Sequence, residues 1–140
     1  MLIPDTLLLV VCAFGADMTA ERVAETIAKG VSAAGMREPD LCPIEDGLPA
    51  SFDMRMRRAR AVIVGAGRLD RGTLATDRRS TSAVFEIATR ARQAGVPAYG
   101  VTRVNELDAF DARMMDLQVI LEARSARGLV AAGMKLARLA

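Results

Sequence analysis

Histidine is absent from the 140 residues. That excludes Ser-His-Asp and Cys-His nucleophilic catalysis, histidine acid–base steps and histidine metal sites. There are only two cysteines, Cys12 and Cys42, and without histidine they cannot complete a four-ligand Cys/His zinc site. Lysine is scarce: Lys29 and Lys135 stand against 17 arginines. Together with 25 alanines, this skew reads as the codon bias of a GC-rich genome. The net charge of +2 lacks the excess expected of a nucleic-acid binder. Long hydrophobic runs are missing too. The longest near the N-terminus, Leu7 to Phe14, is too short to span a bilayer, and Asp5 precedes it where a signal peptide needs positive charge. The expectation is a cytoplasmic protein without membrane or nucleic-acid partners. Its chemistry is left to carboxylates, arginine, lysine, hydroxyls and backbone amides.

What is present is a globular composition, 51% apolar and 26% charged. Its length suits one domain over residues 1–140. Leu7–Ala13 reads as a strand buried on both faces. Thr19 caps a helix that carries Val23, Ile27 and Val31 on one face and stops near Gly35. A weaker strand, Asp40–Ile44, leads into the loop Glu45–Pro49. Ser51–Ala59 is a short helix whose Arg55, Arg57 and Arg58, with Arg60 after it, read as a solvated C-terminus, since no aromatic interleaves with them. Ala61–Gly65 is the third strand, and a fourteen-residue polar loop follows from Ala66 to Arg79. Ser80 caps a helix with Val84, Ile87, Ala88 and Ala91 inward. Val96–Val101, Asp108–Met115 and Leu117–Leu121 are a strand, a helix and a strand. Ser125 starts a last helix with Leu129, Val130, Met134 and Ala137 inward. Cys12 and Cys42 fall near the ends of neighbouring strands, as inert packing thiols.

The alternation predicts a three-layer α/β/α fold around a mostly parallel five-stranded sheet. Such sheets bind ligands beyond the carboxyl ends of their strands. The familiar α/β chemistries do not fit there. Gly65-Ala66-Gly67-Arg68-Leu69-Asp70 follows the third strand and lacks the third glycine of a dinucleotide fingerprint, and no P-loop motif exists. The acids and lysine of a receiver domain are replaced by Ala13, Gly65 and Glu122, and the Ser/Thr-rich phosphate loop of flavodoxins is missing. The long loop remains. Gly65 and Gly67 would let a backbone approach a ligand, while Arg68, Arg71, Arg78 and Arg79, with Arg103 after the fourth strand, would converge on an anion, their repulsion partly relieved by Asp46, Asp70 and Asp77.

At this loop the chain resembles a known family. Ala61–Leu74 is similar to the G-E-G-R-L-D-x-Q-[ST]-L segment of bacterial-type glycerate kinases. Phe14 and Met18–Glu25 resemble that family's F-K-G-S-L-[ST]-A-E-E-V-A, and Pro43–Gly47 its P-[IM]-A-D-G-G. The resemblance covers nearly the whole chain, with the family's inserted second domain missing between about 48 and 60. With the alternation, it implies the flavodoxin-like strand order 2-1-3-4-5. Carried over by motif, Asp46, Gly47, Gly65, Gly67, Arg68, Asp70, Arg71 and Thr73 are the candidate site residues, beside Arg78, Arg79 and Arg103 from the loop argument. The departures are Cys12 for an aspartate, Gly15 for a lysine, Leu48 for a glycine, Ala66 for a glutamate and Thr76-Asp77 for a Gly-Lys pair. Phosphoryl transfer depends on positioning and charge neutralisation, and those losses remove both. The expectation is a degenerate, non-catalytic domain that binds a small anionic metabolite or serves interaction, without metal or cofactor. The alternative is an active phosphotransferase from ATP to glycerate or a similar hydroxy acid, which would need ATP and magnesium. A homo-oligomer or a partner subunit stays open in either case.

Overall fold

The computed structural model describes residues 5–74 and 82–140. Five parallel strands form one sheet in the order β2-β1-β3-β4-β5. They are β1 Leu7–Val11, β2 Asp40–Pro43, β3 Ala61–Leu69, β4 Ala98–Asn105 and β5 Ile120–Glu122. The helices are α1 Ala20–Ala33, α2 Phe52–Arg57, α3 Ser82–Ala94, α4 Ala109–Met115 and α5 Ala126–Leu139, and a 3₁₀ turn spans Arg71–Leu74.

β1 is buried throughout because both faces of the sheet are covered. Its alternation sorts the core. Leu8 and Val10 join Phe52, Met56, Val84, Ile87 and Met115 under α2, α3 and α4. Leu7, Leu9 and Val11 join Val23, Ile27, Val31, Leu129 and Leu136 under α1 and α5. Thr19, Asp108 and Ser125 each cap a helix, their side chains accepting from the backbone N–H of Arg22, Asp111 and Gly128. The cap expected at Ser80 lies outside the described residues. Arg55 holds α2 against β2: Nε and Nη2 donate to the two Asp40 carboxylate oxygens at 2.9 and 2.6 Å, and Nη2 also donates to the Leu41 carbonyl. One arginine of the expected solvated run is thus a tie between elements.

Several boundaries differ from expectation. β3 does not stop at Gly65 but runs on to Leu69, and β4 extends beyond Val101 to Asn105, the two pairing as far as Leu69↔Asn105. The expected polar loop is therefore strand in its first four residues. β4 begins at Ala98 rather than Val96: Pro97, which has no N–H to donate, only accepts, its carbonyl taking the Val62 N–H at 2.9 Å. β5 shifts to Ile120–Glu122, leaving Leu117 to pack over Gly100. β2 ends one residue early, and α2 is shorter than Ser51–Ala59. In α5 the fully buried residues are Leu129, Ala132, Gly133 and Leu136, whereas Val130, Met134 and Ala137 are half-buried. The cause is α1: a Cβ on Gly30 would collide with the Val130 carbonyl oxygen, so that side of α5 lies against α1 and not the sheet.

Both cysteines are free, Cys42 buried and Cys12 half-buried. Val10 is the direct neighbour of Cys42, which leaves Cys12 two residues further along. At about 3.3 Å per residue and 4.8 Å between strands, the two Cα atoms stand about 8 Å apart, beyond disulfide reach. Burial raises the pKa of Cys12; at Cys42 burial is again the largest cause, with Arg55 opposing it. Both thiols should therefore label at least roughly tenfold more slowly with a thiolate-selective reagent in the native protein than in denaturant. Equal rates for Cys12 would show that its burial is not maintained in solution.

Candidate functional site

The carboxyl edge of the sheet carries the candidate residues, but the fold disperses them. Asp46 and Gly47 are exposed in the loop after β2, with Gly47 at φ +114. Gly65 and Gly67 lie within β3, and their lack of a Cβ makes room for the chain itself. A Cβ on Gly65 would stand 2.8 Å from Val11 Cγ1 and 3.5 Å from Phe14 Cε1; one on Gly67 would stand 3.3 Å from the Phe14 Cα. The segment after β1 thus closes over the β1–β3 crevice where a ligand backbone approach was expected.

That segment is a tight turn. The Phe14 N–H donates to the Met18 carbonyl at 2.9 Å, the Met18 N–H donates to the Gly15 carbonyl, and Gly15 takes φ +146. Phe14 is buried beneath it.

The arginines go separate ways. Arg68 is exposed and pairs with Glu106. Arg71 is exposed at the start of the 3₁₀ turn, its Nε 4.0 Å from the buried Asp111 of α4. Asp70 and Thr73 close that turn on themselves: the Asp70 N–H donates to Thr73 Oγ1 at 3.0 Å, and the Thr73 hydroxyl donates to Asp70 Oδ1 at 3.4 Å. Arg78 and Arg79, like Asp77, lie outside the described residues. Arg103 is on the other face. Val101, two residues earlier, belongs to the core under α1 and α5, and Arg103 Nη1 donates to the Phe14 carbonyl at 3.1 Å. Arg68, Arg71 and Arg103 thus each hold a different partner, Glu106, Asp111 and the Phe14 carbonyl.

A different constellation surrounds Arg103. A cleft of about 170 Å³ opens between the β1–α1 turn and the start of α5. Arg103, Arg124 and Asp17 rim it, Phe14, Met18 and Leu129 contribute apolar wall, and Ser125 stands at its edge. Among the described residues, no carboxylate lies within ion-pair distance of Arg103 or Arg124. Among the described residues Arg103 spends one of its five N–H donors, on the Phe14 carbonyl. The N-terminus of α5 adds its partial positive charge. Sequence reasoning found Arg103 and started the last helix at Ser125, but it did not connect Arg103 with Arg124. The usable signal is a cation directly before an N-cap serine at a strand's carboxyl end. Asp17 carried no such signal. Among the described residues no group of three or more Cys, Asp or Glu is placed to hold a metal ion, and no helix is long and apolar enough to cross a membrane.

No family model and no curated protein matches this sequence. Solved structures do resemble it. A flavodoxin, WrbA-like protein from Agrobacterium tumefaciens superposes with a TM-score of 0.55 at 14% identity, over 96% of this chain and 95% of that one. A 3-dehydroquinate dehydratase-like protein from Bifidobacterium longum gives 0.54 at 13% identity, over 98% of each chain. At such identities the likeness concerns architecture alone. With the strand order 2-1-3-4-5, it makes this chain a flavodoxin-like α/β fold.

Proposed function

We propose that this chain is a non-catalytic, cytoplasmic module that binds a small anionic metabolite in the cleft between the β1–α1 turn and α5. The observation that carries the reading is the pair of guanidinium groups, Arg103 and Arg124, that rim one cleft with no carboxylate partner among the described residues. Two guanidinium groups that form no ion pair among the described residues, beside a helix N-terminus, favour an anion.

The resemblance to glycerate kinases enters as descent of the scaffold rather than as activity. What supports binding over phosphoryl transfer is the fate of the motif residues: Arg68 is paired with Glu106, Asp70 and Thr73 bond to each other, and Gly67 accommodates Phe14. The lysines that would neutralise a transferring phosphoryl group are replaced by Gly15 and Asp77. The purified chain should therefore show no glycerate-dependent ATP consumption above background, with or without magnesium.

The test of the anion site compares three proteins in sulfate. Wild type should melt higher as sulfate rises into the millimolar range, since an anion at 100 times its dissociation constant adds about 2.7 kcal/mol. Arg103→Ala combined with Arg124→Ala should lose that increment. Arg68→Ala combined with Arg71→Ala should keep it. Sulfate also stabilises proteins by exclusion, so the differences between the proteins are the measurement. Equal shifts in all three refute a specific site, and loss only in the second pair returns the site to the segment after β3.

A further inference from the structure

The cleft carries charges of both signs, and that narrows the ligand. Arg103 Nη1 and Asp17 Oδ1 lie 3.0 and 3.3 Å from the point where a Cβ on Gly15 would stand, yet they form no ion pair with each other. Both line the same opening, with Arg124. A dianion held by the arginines would also face the Asp17 carboxylate. A ligand with a carboxylate at one end and a cation a few ångströms away satisfies both.

Size and lining narrow it further. The cleft, at about 170 Å³, falls below the roughly 300–1,000 Å³ of pockets that enclose drug-sized ligands, which suits a small ligand. Half-buried Met18, backed by the buried Phe14 and Leu129, offers apolar surface to a short aliphatic group.

We propose that the site takes a small α-amino acid, its carboxylate held by Arg103 and Arg124 and its ammonium by Asp17. The proposal rests on the anion-binding reading above and adds the cation to it.

L-alanine and propionate separate the two ideas, because they differ chiefly in the ammonium group. Calorimetric titration of wild type should give alanine an affinity about fivefold above propionate, the size of effect an exposed charge pair supplies. In Asp17→Asn the two ligands should bind alike, with propionate no weaker than in wild type. In Arg103→Ala combined with Arg124→Ala both should be lost. Alanine binding no tighter than propionate in wild type overturns the amino-acid assignment while leaving the anion site in place. A preference for alanine that survives in Asp17→Asn overturns the role given to Asp17. Binding of neither ligand, or binding indifferent to both arginines, removes the anion site as well.

Discussion

Gly30→Ala should destabilise the fold by about 2–3 kcal/mol, although alanine is the better helix former by about 1 kcal/mol. Gly30 is inside α1, and its missing side chain is where α5 crosses. A Cβ there would meet the Val130 carbonyl and come within 2.9 Å of the Met134 nitrogen. These are backbone atoms held in a helix, so no rotamer change relieves the overlap. α1 and α5 would have to separate, loosening the layer that covers Leu7, Leu9 and Val11. Gly133 is the reciprocal residue: its Cβ would press on the Ile27 carbonyl and stand 3.2 Å from the Gly30 Cα. Gly133→Ala should cost a similar amount, and the double substitution less than the sum, because the first already parts the helices. Gly128→Ala, also in α5, is the control. Its Cβ would approach nothing nearer than 3.4 Å, so it should gain about 0.5–1 kcal/mol from propensity alone. Urea denaturation of the four variants measures all of this. A Gly30→Ala protein as stable as Gly128→Ala would mean that the helices are not in backbone contact in solution.

Phe14→Ala should cost about 3 kcal/mol, the lower end of the range for removing a buried phenylalanine, since the site lies at the sheet edge where relaxation is easier. Phe14 is 5% exposed and packs over Gly65 beneath the β1–α1 turn. Its carbonyl also receives the Arg103 guanidinium. The substitution therefore reaches the cleft as well as the core: with the ring gone, the turn loses its anchor and Arg103 its fixed position. Sulfate stabilisation should shrink in Phe14→Ala and persist in Phe14→Leu, which keeps most of the apolar volume and should cost about 1 kcal/mol. A Phe14→Ala protein with wild-type stability and an undiminished sulfate shift would separate the turn from the site.

The lesson of the β3 glycines is specific. Ala66-Gly67-Arg68 reads as the start of a ligand loop because glycine and alanine are poor strand residues. In the fold they are strand, since a neighbouring segment needs the space and Arg68 can turn outward to Glu106. No local pattern reveals that Phe14 is the neighbour. The bond between Arg103 and the Phe14 carbonyl spans 89 residues of sequence, and the cleft it frames draws on β4 itself and on the segments after β1 and β5.

Local chemistry was enough for the elements themselves. Leu7–Val11 announces a central strand because a run with no polar face must be covered on both sides, and Thr19, Asp108 and Ser125 mark helix starts because their short polar side chains accept from the first free N–H groups. Period and capping act over a few residues, so the sequence by itself determined the α/β class, the identity of every strand and the inward faces of α1 and α3. Tertiary structure alone decided how far β3 and β4 extend, that Gly30 and Gly133 bring two helices into backbone contact, and that Arg103 lies with Arg124 and Asp17 and not with Arg68 and Arg71. Each of these depends on which distant atoms share a face once the sheet is assembled, and face sharing is a property of the packed layers that no window of the chain contains.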